Sequence, residues 1–215
     1  MSTSVPAVDD ALAVELLALG SATLYEASGL DCFLPADLRP AWPGANVVGT
    51  ALPVRTAEGD NLPLHLALEV AEPGEVLVVD AAGAPHGYWG EVLAVAAQQR
   101  GVRGLVIDGG VRDTERLEVL RFPVFSSSIA VRGTVKDDPG SVGAPLTLGS
   151  APVTRGDIVV GDRDGIVVLP IRHCPAILAA ARQRQQKEEA FLARIRAGEL
   201  TLDIYGFSRR GNLGQ

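Results

Sequence analysis

Residues 90–113 read Gly90-Glu91-Val-Leu-Ala-Val-Ala-Ala-Gln-Gln-Arg-Gly-Val-Arg-Gly104-Leu-Val-Ile-Asp-Gly-Gly-Val-Arg112-Asp113. The first half has the apolar spacing of one helix, and residues 104–108 are typical of a strand buried on both faces. A helix followed by a strand returns the chain to the sheet edge where the helix began. Glu91 is therefore predicted to share one crevice with Arg112 and Asp113, at the carboxyl ends of parallel strands.

The flanking sequence continues the alternation of strands and helices. We predict further strands at 47–55, 75–80 and 123–126, and helices at 9–19, 21–28, 60–70 and 114–120, with a surface loop at 31–45. Residues 136–170 are predicted to form a small β layer with a hairpin around 162–165, and residues 174–197 a long charged helix. The fold class is thus α/β, with a β/α/β core over 1–170 and a C-terminal helix and tail over 171–215. This last segment is expected to dock on a neighbouring surface, because its helix has more apolar residues than a free surface helix needs: Ile177, Leu178, Ala181, Phe191 and Ile195.

Composition excludes several classes of protein. The chain has 215 residues, of which 47% are hydrophobic, so it can build one sizeable core. A net charge of −7 without a basic run argues against a nucleic-acid surface. Two distant cysteines, no signal-peptide pattern and no membrane-length apolar run together predict a cytoplasmic protein without a membrane partner.

The crevice residues have two possible interpretations. Gly109 and Gly110 allow the backbone to approach a ligand closely, and Arg112 offers a planar fork for a carboxylate or an enolate oxygen. Asp113 supplies the hard oxygen that Mg²⁺ prefers. The alternative is a surface Arg–Asp pair in which Asp113 caps the helix at 114.

Other polar residues are weaker candidates. Residues 79–83 are predicted to be a strand end and a loop, either an ordinary turn or one that lets backbone amides face an anion. His86 is expected to line a pocket wall, with a metal or acid–base role as the alternative. His65 and His173 are expected to be structural. No lysine lies in an apolar strand, which disfavours Schiff-base chemistry.

Four motifs carry a resemblance to a known family. They are Gly90-Glu-Val-Leu-Ala94, Arg100-Gly-Val-Arg-Gly-Leu-Val-Ile-Asp-Gly-Gly-Val-Arg-Asp113, Phe122-Pro-Val-Phe-Ser126 and Gly156-Asp-Ile-Val-Val-Gly-Asp-Arg-Asp-Gly-Ile-Val-Val-Leu-Pro170. Together they resemble the 4-hydroxy-4-methyl-2-oxoglutarate aldolases, which belong with the proteins similar to regulator of ribonuclease E activity A. The similarity runs from Ser21 to Phe207 and includes Asp203-Ile-Tyr-Gly206.

The resemblance implies a swivelling β/α/β fold, a homotrimer or homohexamer, and sites between subunits. It implies metal-dependent class II aldol cleavage of small 2-oxo acids with Mg²⁺ or Mn²⁺, and a side activity on oxaloacetate. Asp113 matches the direct metal ligand, and Arg112 matches the substrate-binding arginine. Glu91, where these aldolases commonly have Asp, would hold the metal through water.

The same resemblance implies the remaining contacts. The substrate carboxylate would meet the segment from Gly90 to the backbone amides of Val92 and Leu93. A glutamate from the last helix of a neighbouring subunit would also approach the metal through water, and Glu188 is the candidate, with Glu189 next to it.

We therefore expect a metal-dependent lyase that generates a pyruvate enolate by aldol cleavage or by decarboxylation. The alternative from a different class is a non-catalytic, protein-binding regulator of ribonuclease E, against which the retained Asp113 argues. Methyl transfer from S-adenosylmethionine is a third possibility, disfavoured by the lack of a glycine-rich strand–loop–helix near the N-terminus. The longer side chain of Glu91 leaves the preferred substrate open.

Overall fold

A computed structural model describes residues 8–207 of the chain. The N-terminal segment on which the signal-peptide argument depended and the tail beyond Phe207 lie outside the described residues. The helices are α1 (Asp10–Leu19), α2 (Ser21–Ser28), α3 (Leu62–Val70), α4 (Glu91–Gln99), α5 (Thr114–Val119), α6 (Cys174–Arg196) and α7 (Thr201–Ile204), with a 3₁₀ turn at Ile171–His173. The strands are β1 (Arg39–Pro40), β2 (Val47–Arg55), β3 (Glu75–Trp89), β4 (Gly104–Val111), β5 (Val124–Ile129), β6 (Ser141–Val142), β7 (Leu146–Leu148), β8 (Ala151–Val153), β9 (Ile158–Gly161) and β10 (Ile166–Leu169).

One mixed sheet organises the molecule. Its strands lie in the order β1-β5-β4-β3-β2-β9-β10, with β6 paired to β2. The central strands β2 to β5 are parallel to one another, and β1, β6 and β9 pair antiparallel to them. Helices α3, α4 and α5 connect successive parallel strands, as the alternating sequence pattern predicted. The predicted α/β fold with a long C-terminal helix is confirmed.

Strand β3 is longer than predicted. The sequence indicated a strand that ends at Asp80 and a loop before Gly90, whereas the strand continues to Trp89. Register shifts after Asp80 and after Ala84 interrupt its pairing with β4, and Ala82 there has a φ of 53°. Bulges of this kind let a strand bend and resume pairing. The predicted loop is therefore wrong, because pairing with β4 extends the strand beyond its apolar run.

The small β layer is confirmed in a reduced form. Strands β7 and β8 make a separate two-stranded sheet. The predicted hairpin around residues 162–165 is present, since β9 and β10 pair antiparallel from Ile158↔Leu169 to Gly161↔Ile166. However, β9 also pairs with β2 and so extends the main sheet. Both hairpin strands are fully buried, as expected for strands that belong to the central layer.

The predicted surface loop at 31–45 contributes to the core. Leu34, Leu38 and Trp42 are buried, and the Trp42 Nε1–H donates to the carbonyl of Phe122 at 2.9 Å. The high proline and turn content correctly indicated irregular backbone but not burial. Tertiary contacts with the sheet cover these apolar side chains.

Helix α6 divides into a buried and an exposed half. Three of the apolar residues expected to dock on a neighbouring surface, Ile177, Leu178 and Ala181, are instead buried in a cluster of this chain with residues of α1 and α2. The second half, with Leu192 and Ile195, remains exposed. Docking of 171–215 on a neighbour stays a prediction that now depends on this second half. Within residues 8–207, no helix is long and apolar enough to cross a membrane.

Candidate active site

The carboxyl ends of β3 and β4 place the two sequence motifs side by side. Trp89 pairs with Val111 in the parallel register, and the Arg112 N–H donates to the Trp89 carbonyl at 2.9 Å. Gly90 and Glu91 therefore follow one strand at the point where Arg112 and Asp113 follow the next. The predicted meeting of the two ends of segment 90–113 is confirmed.

The Asp113 side chain is directed at the start of α4 and not at α5, the helix that Asp113 precedes. It occupies the N-cap position of α5 with φ 57° and ψ 35°, and its side chain makes no capping hydrogen bond there. Instead its Oδ2 accepts a hydrogen bond from the Glu91 backbone N–H at 3.1 Å and lies 4.0 Å from the Arg112 Nε. A left-handed conformation is costly for a residue with a Cβ and is concentrated at functional sites. The simple capping interpretation of Asp113 is therefore wrong.

Two glycines make this approach possible. A Cβ at Gly90 would overlap Oδ2 of Asp113 and lie 3.2 Å from Cγ of Arg112. A Cβ at Gly87 would lie 2.8 Å from the Ala130 carbonyl and 3.0 Å from Cδ of Arg112. Glycine at both positions thus leaves room for the two side chains that follow β4.

The first turn of α4 offers donors to a ligand. The first backbone bond of this helix is made by Ala94, whose N–H donates to the Gly90 carbonyl at 3.0 Å. The N–H groups of Val92 and Leu93 have no acceptor among residues 8–207, as expected for the start of a helix. Free amides and the positive end of the helix dipole favour an anion at this position.

A cavity of about 190 Å³ opens at these groups. Its lining includes most of the site residues expected from the sequence, together with residues from α3 and the segment after β5. The lining residues are Asn61, His65, Gly87, Tyr88, Gly90, Val92, Leu93, Arg112, Asp113 and Lys136. One guanidinium, one ammonium and one carboxylate therefore face a space sized for a small metabolite.

Some predicted site residues lie outside this cavity. The Glu91 side chain is exposed and is not part of the lining, although its backbone N–H binds Asp113. Glu188 lies on α6, where its Oε1 is 2.9 Å from Arg184 Nε, and it borders a different groove beside Phe191 and Tyr205. Glu189 is exposed on the same helix. A metal-site role for Glu188 depends on a neighbouring subunit and stays a prediction.

His86 is buried behind the cavity wall. Its Nδ1 is 2.9 Å from the Gly133 carbonyl, and its Nε2 is 3.9 Å from Glu58 Oε1. Since a carbonyl can only accept, Nδ1 carries the proton of that bond. His86 therefore anchors the segment that follows β5, and it is not a lining residue.

Sequence reasoning missed five lining residues, namely Gly87, Tyr88 and three with nitrogen-bearing side chains, Asn61, His65 and Lys136. The run Asp60-Asn61-Leu62 was interpreted only as a helix start, and His65 as structural. Asn61 is buried, its Nδ2 donates to the Tyr88 carbonyl at 3.0 Å, and its Oδ1 has no partner within the described part of the chain. Lys136 lies in a segment without helix or strand, so no periodicity signalled it.

The surroundings of the exposed His65 lower the pKa of its imidazole. Partial desolvation is the larger cause, and the positive charge of Lys136 lowers this pKa further. His65 is therefore neutral at pH 7, since even its ordinary pKa is about 6.5. The cations that face the cavity at neutral pH are thus Arg112 and Lys136.

The donor set fits a magnesium-type cation better than a protein-caged metal. Asp113 is the carboxylate of the lining, and its Oδ1 accepts no hydrogen bond from residues 8–207. The same residues contain no group of three or more His, Cys, Asp or Glu side chains that could hold a metal. Mg²⁺ is commonly bound by one or two carboxylates, with waters and substrate oxygens completing the shell.

Known proteins with similar sequences and folds match most of the chain. A provisionally named 4-hydroxy-4-methyl-2-oxoglutarate aldolase of Halalkalibacterium halodurans is 34% identical over 158 residues, which cover 73% of this chain and 75% of that protein. An uncharacterized protein of Pseudomonas syringae pv. tomato shares the fold with a TM-score of 0.81 at 24% identity, covering 97% of this chain and 99% of that one. RraAS2 of Streptomyces coelicolor, described as an unusual member of the RNase ES inhibitor RraA family, has a TM-score of 0.73 at 29% identity, covering 87% and 98%.

The family model described as RraA-like, Aldolase/RraA, matches residues 8–168, which include strands β1 to β9, α4 and the cavity described above. The chain belongs to the RraA-like family of aldolases and RraA proteins.

Proposed function

We propose that this protein is a divalent-metal-dependent lyase that cleaves 4-hydroxy-4-methyl-2-oxoglutarate-like 2-oxo acids to pyruvate and also decarboxylates oxaloacetate. The observation that carries the proposal is the position of Asp113, whose carboxylate lies beside Arg112 and the start of α4 in one cavity. The name of the Halalkalibacterium halodurans relative supports the reaction class.

Different groups of the cavity would bind different parts of a 2-oxo acid. The amides of Val92 and Leu93 would bind its carboxylate at the positive end of α4. Arg112 would place its fork on the oxygen that becomes the enolate, where a planar pair of donors stabilises developing negative charge. These backbone amides and the Arg112 side chain would together bind the half of the substrate that leaves as pyruvate.

Asp113 would hold Mg²⁺ or Mn²⁺ directly. When bound, the cation supplies Lewis-acid stabilisation of the oxygen on which negative charge develops. Gly90 keeps the space beside Asp113 open, and the Glu91 N–H fixes the direction of its carboxylate. The free Oδ1 of Asp113 is the oxygen we assign to the metal.

Glu91 would accept the proton of the substrate hydroxyl through water during aldol cleavage. Its carboxylate stands on the first residue of α4, immediately after Gly90 and next to the bond between its own N–H and Asp113. Decarboxylation of oxaloacetate passes through the same pyruvate enolate but requires no hydroxyl proton. The same residues would therefore serve both aldol cleavage and decarboxylation.

The test is a panel of 2-oxo acids assayed with Mg²⁺, with Mn²⁺ and with EDTA. Pyruvate release from 4-hydroxy-4-methyl-2-oxoglutarate that requires the metal is the expected result. The alternative function, a non-catalytic regulator of ribonuclease E, is favoured by the description of the Streptomyces coelicolor relative. Inhibition of that ribonuclease together with no turnover on any 2-oxo acid would support the regulator and overturn the lyase.

A further inference from the structure

Lys136 is a cation of the cavity that the proposed chemistry does not use. It lines the same space as Arg112 and Asp113. Its ammonium forms no ion pair with a carboxylate of residues 8–207. Lys136 is exposed to solvent, so its ammonium is available to an anion that enters the cavity.

The segment that carries Lys136 is held firmly although it is neither helix nor strand. The Val135 N–H donates to the Gly59 carbonyl at 2.8 Å, and the Asn61 N–H donates to the Val135 carbonyl at 3.1 Å. The His86 ring adds its bond to the carbonyl of Gly133. Lys136 therefore projects from backbone that is fixed on both sides.

The side chain of Asp60 holds the part of this segment that follows Lys136. It is 3% exposed, and its Oδ2 accepts the N–H groups of Asp137 and Asp138 at 2.7 and 2.8 Å. Its Oδ1 accepts the Leu62 N–H at 2.8 Å. Burial opposes the charge on Asp60, but these three hydrogen bonds and the nearby Lys136 outweigh it and leave its pKa below the ordinary value. The buried carboxylate thus fixes the residues directly after Lys136.

We propose that Lys136 binds the terminal carboxylate of a dicarboxylic 2-oxo acid, while the Arg112 side of the cavity holds its 2-oxo carboxylate end. Lys136 would thus be the residue that selects dicarboxylic over monocarboxylic substrates, and Asp60 the residue that positions it. The inference rests on the proposed function for the orientation of the ligand, with its 2-oxo end at Arg112.

The charges of the cavity residues support binding of the terminal carboxylate by Lys136 and of the 2-oxo end at Arg112. His65 is the other basic side chain near Lys136, but it is neutral at pH 7 and offers no full charge to an anion. Arg112 is engaged with the first half of the ligand in the proposed mechanism. A monocarboxylic acid would leave Lys136 without a partner, whereas a dicarboxylic acid pairs both cations.

The test uses ligands that cannot undergo retro-aldol cleavage, so that it does not depend on turnover. Isothermal titration with saturating Mg²⁺ would measure Kd for 2-oxoglutarate and for 2-oxopentanoate, which has a methyl group in place of the terminal carboxylate. The preference for 2-oxoglutarate should fall about 10- to 100-fold in Lys136→Met, the loss typical of one charge-assisted hydrogen bond. Arg163→Met removes an exposed cation of the 162–165 turn and should keep the wild-type preference.

Two further variants separate charge from folding. Lys136→Arg should retain most of the preference, and Asp60→Asn should lose it in part with Lys136 intact, because Asn cannot accept three N–H groups as well as a carboxylate does. An unchanged preference in a folded Lys136→Met protein would overturn the inference. If the preference is lost as expected but the wild type cleaves no 2-oxo acid, the subsite is supported and only the lyase proposal fails.

Discussion

The backbone N–H of Glu91 donates a hydrogen bond to Oδ2 of Asp113 at 3.1 Å, which ties the start of α4 to the end of β4. This bond orients a carboxylate that stands on left-handed backbone, beside an arginine and at the edge of the cavity. It also leaves the second carboxylate oxygen of Asp113 available. The predictions below depend on this arrangement.

Asp113→Asn should abolish metal-stimulated turnover and leave the fold intact. Asn tolerates left-handed backbone and still accepts the Glu91 N–H, so only the negative charge is removed. Turnover against Mg²⁺ concentration and a thermal melt measure the two effects. Glu115→Gln, an exposed change in the first turn of α5, is the matched control. Wild-type turnover of the Asn variant with added Mg²⁺ would remove Asp113 from the metal site.

Arg112→Lys should lower kcat/KM by about 10²–10³-fold, because a point charge cannot replace a planar fork directed at an oxyanion. Steady-state kinetics on one 2-oxo acid are sufficient for this comparison. Arg116→Lys, on the exposed side of α5, should change little. A loss below about threefold in Arg112→Lys would reduce Arg112 to a structural role.

Gly90→Ala should inactivate the protein through Asp113. The new Cβ would overlap Oδ2 of that carboxylate, and backbone strain is not the cause because Gly90 is extended, with a φ of −164°. The effect is measured as loss of Mg²⁺-dependent turnover together with the thermal midpoint. Gly165→Ala is the control, since its Cβ would enter open space. Full activity of Gly90→Ala would show that Asp113 need not occupy the observed position.

Glu91→Asp should change aldol cleavage more than decarboxylation. The shorter side chain moves the water that would take the hydroxyl proton, but it leaves Asp113 and Arg112 in place. The measurement is kcat/KM of wild type and variant on 4-hydroxy-4-methyl-2-oxoglutarate and on oxaloacetate, with saturating Mg²⁺. Equal proportional changes on the two substrates would contradict a role in hydroxyl deprotonation and indicate that Glu91 holds the metal.

The exposed half of α6 should mediate self-association. Leu192 and Ile195 of α6, with Tyr205 and Phe207 that follow α7, are 38–62% exposed. Together they present more apolar surface than a solvated helix end requires. Light scattering at micromolar concentration should give a trimer or a hexamer, and Ile195→Glu should lower the mass. Val119→Glu, which alters an exposed valine of α5, is the control. A monomeric wild type would exclude Glu188 from the site.

Local sequence pattern was enough to predict the parallel strands, the helix between Gly90 and Gly101, and the meeting of Glu91 with Asp113. Each follows from short-range rules: apolar periodicity identifies the elements, and the handedness of a helix–strand connection brings their ends together. The same rules predicted the hairpin of β9 and β10, because its turn residues and apolar strands are contiguous.

Long-range pairing decided the rest. Residues 81–89 became strand because β4 offers them backbone partners beyond a bulge, and the β9–β10 hairpin entered the main sheet because β2 has a free edge. The Asp113 carboxylate lines the cavity and does not cap α5, because its Oδ2 accepts a hydrogen bond from the Glu91 N–H. Lys136 lies at the cavity because distant residues hold its segment, among them buried Asp60, which is more than seventy residues away in sequence. No local pattern encodes such contacts, since they depend on which distant backbone groups the fold brings within hydrogen-bond distance.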